Sequence, residues 1–158
     1  MKNHPQVSPQ QFLRHSFFAL AGGALVLGLA ACSPMGMGMD HGGPAGKVSL
    51  DGGSEVPANA SKATGSGAIA VAPDHGISGS VSTTGITGTA AHIHMAAKGA
   101  NGAVIVPLTK MGENTWVVPA GTMLNDTQYA AYVAGNLYVN VHSAAMPAGE
   151  IRGQLNAY

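Results

Sequence analysis

Three things are scarce in this sequence of 158 residues: charge at 9%, aromatic side chains at 5%, and cysteine, of which there is one. A single cysteine, Cys32, excludes a disulfide within the chain, so any folded part must rely on its own apolar core. Charge is balanced, with seven Lys and Arg against seven Asp and Glu, and no basic stripe is present for a nucleic acid to follow. The usual catalytic sets are missing as well. There is no Ser-His-Asp pattern, no cysteine nucleophile and no close carboxylate pair, so no catalytic residue is assigned and a binding module is favoured over an enzyme. The longest apolar run, Phe17 to Leu29, falls short of the roughly 18 residues of a membrane span.

That run has another use. Lys2 and Arg14 precede it as a positive segment, glycines soften it, and Leu29-Ala30-Ala31-Cys32 closes it with small residues, the construction of a secretory signal. The ending also resembles the lipobox of bacterial lipoproteins. That resemblance implies a signal peptide over residues 1–31, lipid on Cys32, and a chain held to a membrane of the cell envelope through that lipid. Ser33 after the cysteine, rather than Asp, implies the outer membrane for a Gram-negative chain. Residues 32–46 are rich in Gly, Met and Pro and read as a linker. Met35, Met37, Met39 and His41 carry a second reading, because thioethers spaced along a flexible backbone suit Cu(I).

From Lys47 to Tyr158 the pattern is that of one all-β domain, long enough for one core. Strands are expected at 47–50, 65–72, 77–83, 89–95, 103–108, 114–118, 137–142 and 151–155, where apolar and small residues alternate or run between Gly- and Pro-containing turns. His75 falls in one such turn and is expected to be exposed, whereas Trp116 is expected to pack. One short helix is expected from Asp126 to Ala134. Asn125 caps it, Gln128 completes a capping box, and Gly135 stops it.

The period of two then sorts side chains by face. Ala91, Ile93 and Met95 point to the core, leaving His92 and His94 on the other side about 6.5–7 Å apart at Cα. Leu137, Val139 and Val141 likewise point inward, opposite Tyr138, Asn140 and His142, and Ile151 and Leu155 oppose Glu150, Arg152 and Gln154. If the strands at 89–95 and 137–142 are neighbours, His92, His94 and His142 share one surface. Three neutral imidazoles with an open fourth position suit Cu(II), and Zn(II) less well in an exported protein. The competing reading is a polar sheet face in which Asn140, Glu150 and backbone carbonyls satisfy the histidines. Glu150 reads either as an orienting partner for a histidine or as half of a surface ion pair with Arg152 worth at most about 1 kcal/mol. Arg152 could also attract an anion.

Several blocks in this order resemble the CHRD domain family: Glu55-Val56-Pro57, Ala91-His92-Ile93-His94, Gly99-Ala100-Asn101-Gly102, Tyr138 to Ser143, and Pro147 to Gln154. The resemblance implies an immunoglobulin-like antiparallel β-sandwich. In animals such domains are attached to extracellular regulators of growth factors, and for most bacterial members no activity is established. A weaker similarity is to copper-zinc superoxide dismutase, another sandwich, in the order His92, His94, His142 and Arg152. Only His41 and His75 remain beyond the signal, and no bridging histidine is placed for a second metal, so a two-metal dismutase does not fit. The expectation is therefore a lipid-anchored copper-binding module with a copper-handling or envelope protein as partner. A metal-free structural or interaction domain is the alternative, and a mononuclear copper enzyme acting on superoxide is the third.

Overall fold

The computed structural model describes residues 45–157. The expected signal peptide, Cys32, and Met35, Met37, Met39 and His41 of the linker lie outside the described residues.

Nine strands form in chain order: β1 Ala45–Asp51, β2 Thr64–Val71, β3 Ile77–Thr84, β4 Gly88–Met95, β5 Ala103–Pro107, β6 Thr109–Met111, β7 Thr115–Val117, β8 Leu137–Ser143 and β9 Ile151–Leu155. A single 3₁₀ turn, Gly52–Ser54, follows β1, and one helix, α1 Asp126–Val133, precedes β8. The all-β antiparallel architecture with one short helix is the one read from the sequence. Two details differ. β1 starts two residues before Lys47, and the short strand β6 was not expected, because Thr-Lys-Met is exposed throughout and offers no alternation.

Hydrogen bonding runs through all nine strands in the order β5-β4-β8-β9-β1-β2-β3-β7-β6. The two edge strands, β5 and β6, are consecutive in the chain with only Leu108 between them, and the Leu108 amide donates to Ala91 O at 2.9 Å. The sheet therefore curls back until its edges nearly meet, and its inner faces close on one core. Val48, Leu50, Ile69, Ile77, Val81, Ile93, Trp116, Leu137, Val139, Val141, Ile151 and Leu155 fill that core, each 3% exposed or less. Trp116 is thus interior, as its neighbourhood in the sequence suggested.

The helix is held at both ends. Asn125 Oδ1 accepts from the Gln128 amide and Gln128 Oε1 accepts from the Asn125 amide, each at 2.9 Å. Gly135, at φ 72°, turns the chain from the helix into β8. His75 does more than occupy a turn. It stacks on Tyr129 of α1 with centroids 4.1 Å apart, and its Nδ1 stands 3.5 Å from Asp126 Oδ1, so it docks the β2–β3 turn onto the helix. The sequence could not show this, since the contact spans about fifty residues.

Candidate metal centre

β8 lies between β4 and β9, and the register decides which side chains meet. His92 pairs with Asn140, which pairs with Arg152; His94 pairs with Tyr138, which pairs with Gln154; and His142 pairs with Ala90. Directly paired residues share a face of the sheet. The three histidines, Tyr138, Asn140, Arg152 and Gln154 therefore form one polar surface, opposite Ile93, Val139, Val141 and Ile151.

This surface is covered, which alternation alone did not reveal. Tyr138 is 2%, Asn140 3%, His94 8% and Arg152 1% exposed, because the segments around Glu55 and Ala96–Gly102 close over the sheet. His92 and His142 are half-buried. One ring nitrogen from each of His92, His94 and His142 lies within 4.8 Å of the others. These three could hold a metal ion. Nitrogens sharing an ion at ~2.1 Å stand ~3.4 Å apart in a tetrahedral site and at most ~4.2 Å apart in any, so a pair near 4.8 Å has to close by at least about half an ångström.

The hydrogen bonds set the tautomers. His94 Nδ1 is 2.9 Å from Gly102 O and His142 Nδ1 is 3.0 Å from Pro147 O. A carbonyl only accepts, so both Nδ1 atoms carry the proton and both Nε2 atoms present a lone pair. His142 Nε2 points at His92 Nδ1 across 3.0 Å. Among the described residues, His94 Nε2 is buried with no hydrogen-bond partner. An orphaned buried acceptor costs about 1–3 kcal/mol, a cost that a ligated ion would remove. Backbone carbonyls orienting imidazoles from behind are the usual outer layer of a metal site.

Electrostatics act in the same direction. Burial lowers the His92 pKa below its ordinary 6.5, helped by His142 and His94. Burial also lowers that of His142, against the opposing hydrogen bond to Pro147, with His94 adding to the depression. Both rings are thereby kept neutral, the form that binds metal. The linkage to stability has a definite sign. A histidine whose folded pKa is depressed takes its proton more readily when unfolded, so stability is retained above pH 6.5 and lost as pH falls below it. We expect the metal-free domain to melt at a lower temperature at pH 5.5 than at pH 7.5. The difference should shrink in a His92→Ala, His142→Ala variant, and equal pH dependence in the two proteins would contradict the assignment. The comparison between variants is needed because Glu55 runs the other way. Burial raises its pKa above 4.5 against the pull of Arg152, so its contribution grows as pH falls.

The remaining predicted residues take different places. Asn140 shares the face of His92, and its Oδ1 is buried with no hydrogen-bond partner among the described residues, so that oxygen does not orient a histidine. Glu150 is not an orienting partner of a histidine. Its Oε1 accepts from Ser61 Oγ at 2.6 Å and its carbonyl from Asn59 Nδ2 at 3.0 Å, which ties down the 59–63 segment. Nor does Glu150 form a surface ion pair with Arg152, whose buried guanidinium lies 3.3 Å over the Tyr138 ring and donates to Ala100 O and Asn101 Oδ1. Arg152 also borders a cleft of about 640 Å³ that Lys47, Lys98 and Glu55 help to line, and none of the three histidines lines it. Sequence reasoning missed Tyr138, Gly102 and Pro147. Tyr138 had a signal, since alternation put it on the histidine face. The other two act through carbonyl oxygens, which every residue has.

The family model described as CHRD domain matches residues 47–155, well over half of the chain. No curated protein and no solved structure matches it.

Proposed function

This chain belongs to the CHRD domain family, and from that premise we propose that it is a lipid-anchored metal-binding module of the cell envelope, holding copper through His92, His94 and His142. The observation that carries the reading is His94 Nε2, a buried lone pair with no hydrogen-bond partner among the described residues, beside two other imidazoles whose nitrogens come within 4.8 Å. Copper is favoured over zinc because Cu(II) binds imidazole more tightly than the other divalent first-row ions, and a domain without cysteine offers no thiolate to compete for it. The envelope location and the anchor rest on the signal and the Leu29-Ala30-Ala31-Cys32 ending. The methionines of the linker, with His41, would serve to capture or hand over Cu(I) to a copper-handling partner.

Titrating the purified mature chain with Cu(II) at pH 7.5 should give about one equivalent bound, with nitrogen couplings in the paramagnetic resonance spectrum. At a free concentration a hundredfold above Kd, binding adds about 2.7 kcal/mol to stability, visible as a rise in Tm. One specific contact supports a second reading, a metal-free interaction domain. His92 Nδ1 and His142 Nε2 are already 3.0 Å apart and satisfy each other without an ion. A Tm unmoved by copper or zinc, with no bound metal in protein isolated from the envelope, would favour that reading and end the first.

A further inference from the structure

His94 stands apart from the other two histidines because its ring is fixed from both sides. Its Nδ1 meets Gly102 O at 2.9 Å, and its plane lies 7° from that of Tyr138 with centroids 4.8 Å apart. Gly102 ends the loop that leaves β4, and it can approach the strand only as glycine: a Cβ there would stand 1.9 Å from Met95 O. The position of the Gly102 carbonyl is therefore the position of this loop.

β4–β5 pairing anchors the loop where Ala103 meets Met95, and Gln154 Nε2 donates to Ala96 O at its start; between these ends one guanidinium makes two of its ties. Arg152 donates to Ala100 O at 2.8 Å and to Asn101 Oδ1 at 3.3 Å, while its face covers the Tyr138 ring. Asn101 Nδ2 passes the tie on to Val56 O at 2.8 Å, and the Gly102 amide donates to Tyr138 Oη at 3.3 Å. Tyr138 is thus clamped between the His94 imidazole and the Arg152 guanidinium. A planar fork can donate to two acceptors and stack in the same pose, which a lysine ammonium cannot.

We propose that Arg152 is the positioning residue of the metal centre: through Ala100 and Asn101 it holds the Gly102 carbonyl where it fixes His94 in the Nδ1–H tautomer and aims Nε2 at the ion. The part that concerns the metal rests on the three-histidine reading; the part that concerns the tautomer does not. A buried arginine whose only task was to fill space would leave the protonation of a ring two strands away unchanged.

The test compares the wild-type chain with Arg152→Lys and Asn101→Ala. Asn101→Ala changes an exposed loop residue and keeps the test valid if Arg152→Lys fails to fold. In the metal-free proteins, nitrogen-15 spectra of the imidazoles should show His94 as a single Nδ1–H tautomer in the wild type and as a tautomer mixture in each folded variant. With Cu(II) alone as the probe, affinity should fall about 10–100-fold, and pulsed paramagnetic resonance should count fewer coordinated imidazoles than in the wild type. Wild-type His94 carrying its proton on Nε2 would overturn the proposal. So would variants that keep the wild-type tautomer and copper affinity. A wild type that binds no copper while the variants still lose the single tautomer would uphold the role of Arg152 and reject the copper reading alone.

Discussion

Replacing His92 and His142 together by alanine is expected to weaken Cu(II) binding by at least about a hundredfold. Loss of a single outer-layer partner already costs 10–100-fold in typical metal sites. Here two of the three proposed ligands go, leaving one buried imidazole that cannot hold an ion by itself. The fold should tolerate the change. Both side chains are only half-buried, and what is lost inside the protein is their mutual contact and the hydrogen bond to Pro147 O. The expected result is a folded protein with nearly unchanged Tm, no rise in Tm on adding copper, and no nitrogen couplings in the resonance spectrum. Retained one-equivalent binding in this variant would mean that the ion sits elsewhere.

The opposite outcome is expected one residue away. Ile93 lies between the two histidines of β4 but points into the core, fully buried and paired with Val106 on one side and Val139 on the other. Ile93→Ala removes three buried carbons and leaves a cavity in a site gripped by strands on both sides, where collapse is difficult. The cost should be about 2–5 kcal/mol, a large share of the 5–15 kcal/mol typical of a domain. Tm should fall on the order of 10–20 °C for a domain of this size. Below that temperature the folded variant should bind copper as the wild type does, because none of the histidine contacts passes through the Ile93 side chain. Scanning calorimetry with and without Cu(II) reads both quantities. A variant that kept its Tm but lost its metal would reverse the assignment of the two faces of β4.

These two variants show how much of the site could be read from the amino-acid order. Strict alternation in AHIHM and in LYVNVHS settles which residues face inward, because the side-chain period of a strand is two whatever surrounds it. The adjacency of β4 and β8, required for His142 to join His92 and His94, was a condition in the sequence and is an observation in the structure. What escaped is the lid over the polar face. Glu55 and Asn101 are separated from the residues they meet by tens of positions, and nothing in the order of residues marks a loop that folds back over a sheet. Arg152 misled for that reason: on a bare sheet face it is a surface ion, and under a loop it is a buried tie. Glu150 misled for the converse reason. It precedes β9 and turns toward Ser61, so the alternation that places Arg152 does not govern it.

The order of strands has a consequence for how the domain is made. β1 and β9, the first and last strands, are neighbours in the middle of the sheet, with Asp51 opposite Arg152 and Gly153 packed against the backbone of Ser49. In the ladder order, β5-β4-β8-β9 and β1-β2-β3-β7-β6 meet at that seam, and the far edges approach again where the Leu108 amide donates to Ala91 O. The seam pairs residues about a hundred positions apart, a separation that slows closure, and removing β9 is expected to leave β1 and β8 with open edges. Arg152 sits on the seam. The side chain that ties down the histidine loop is therefore in place only when that seam is closed.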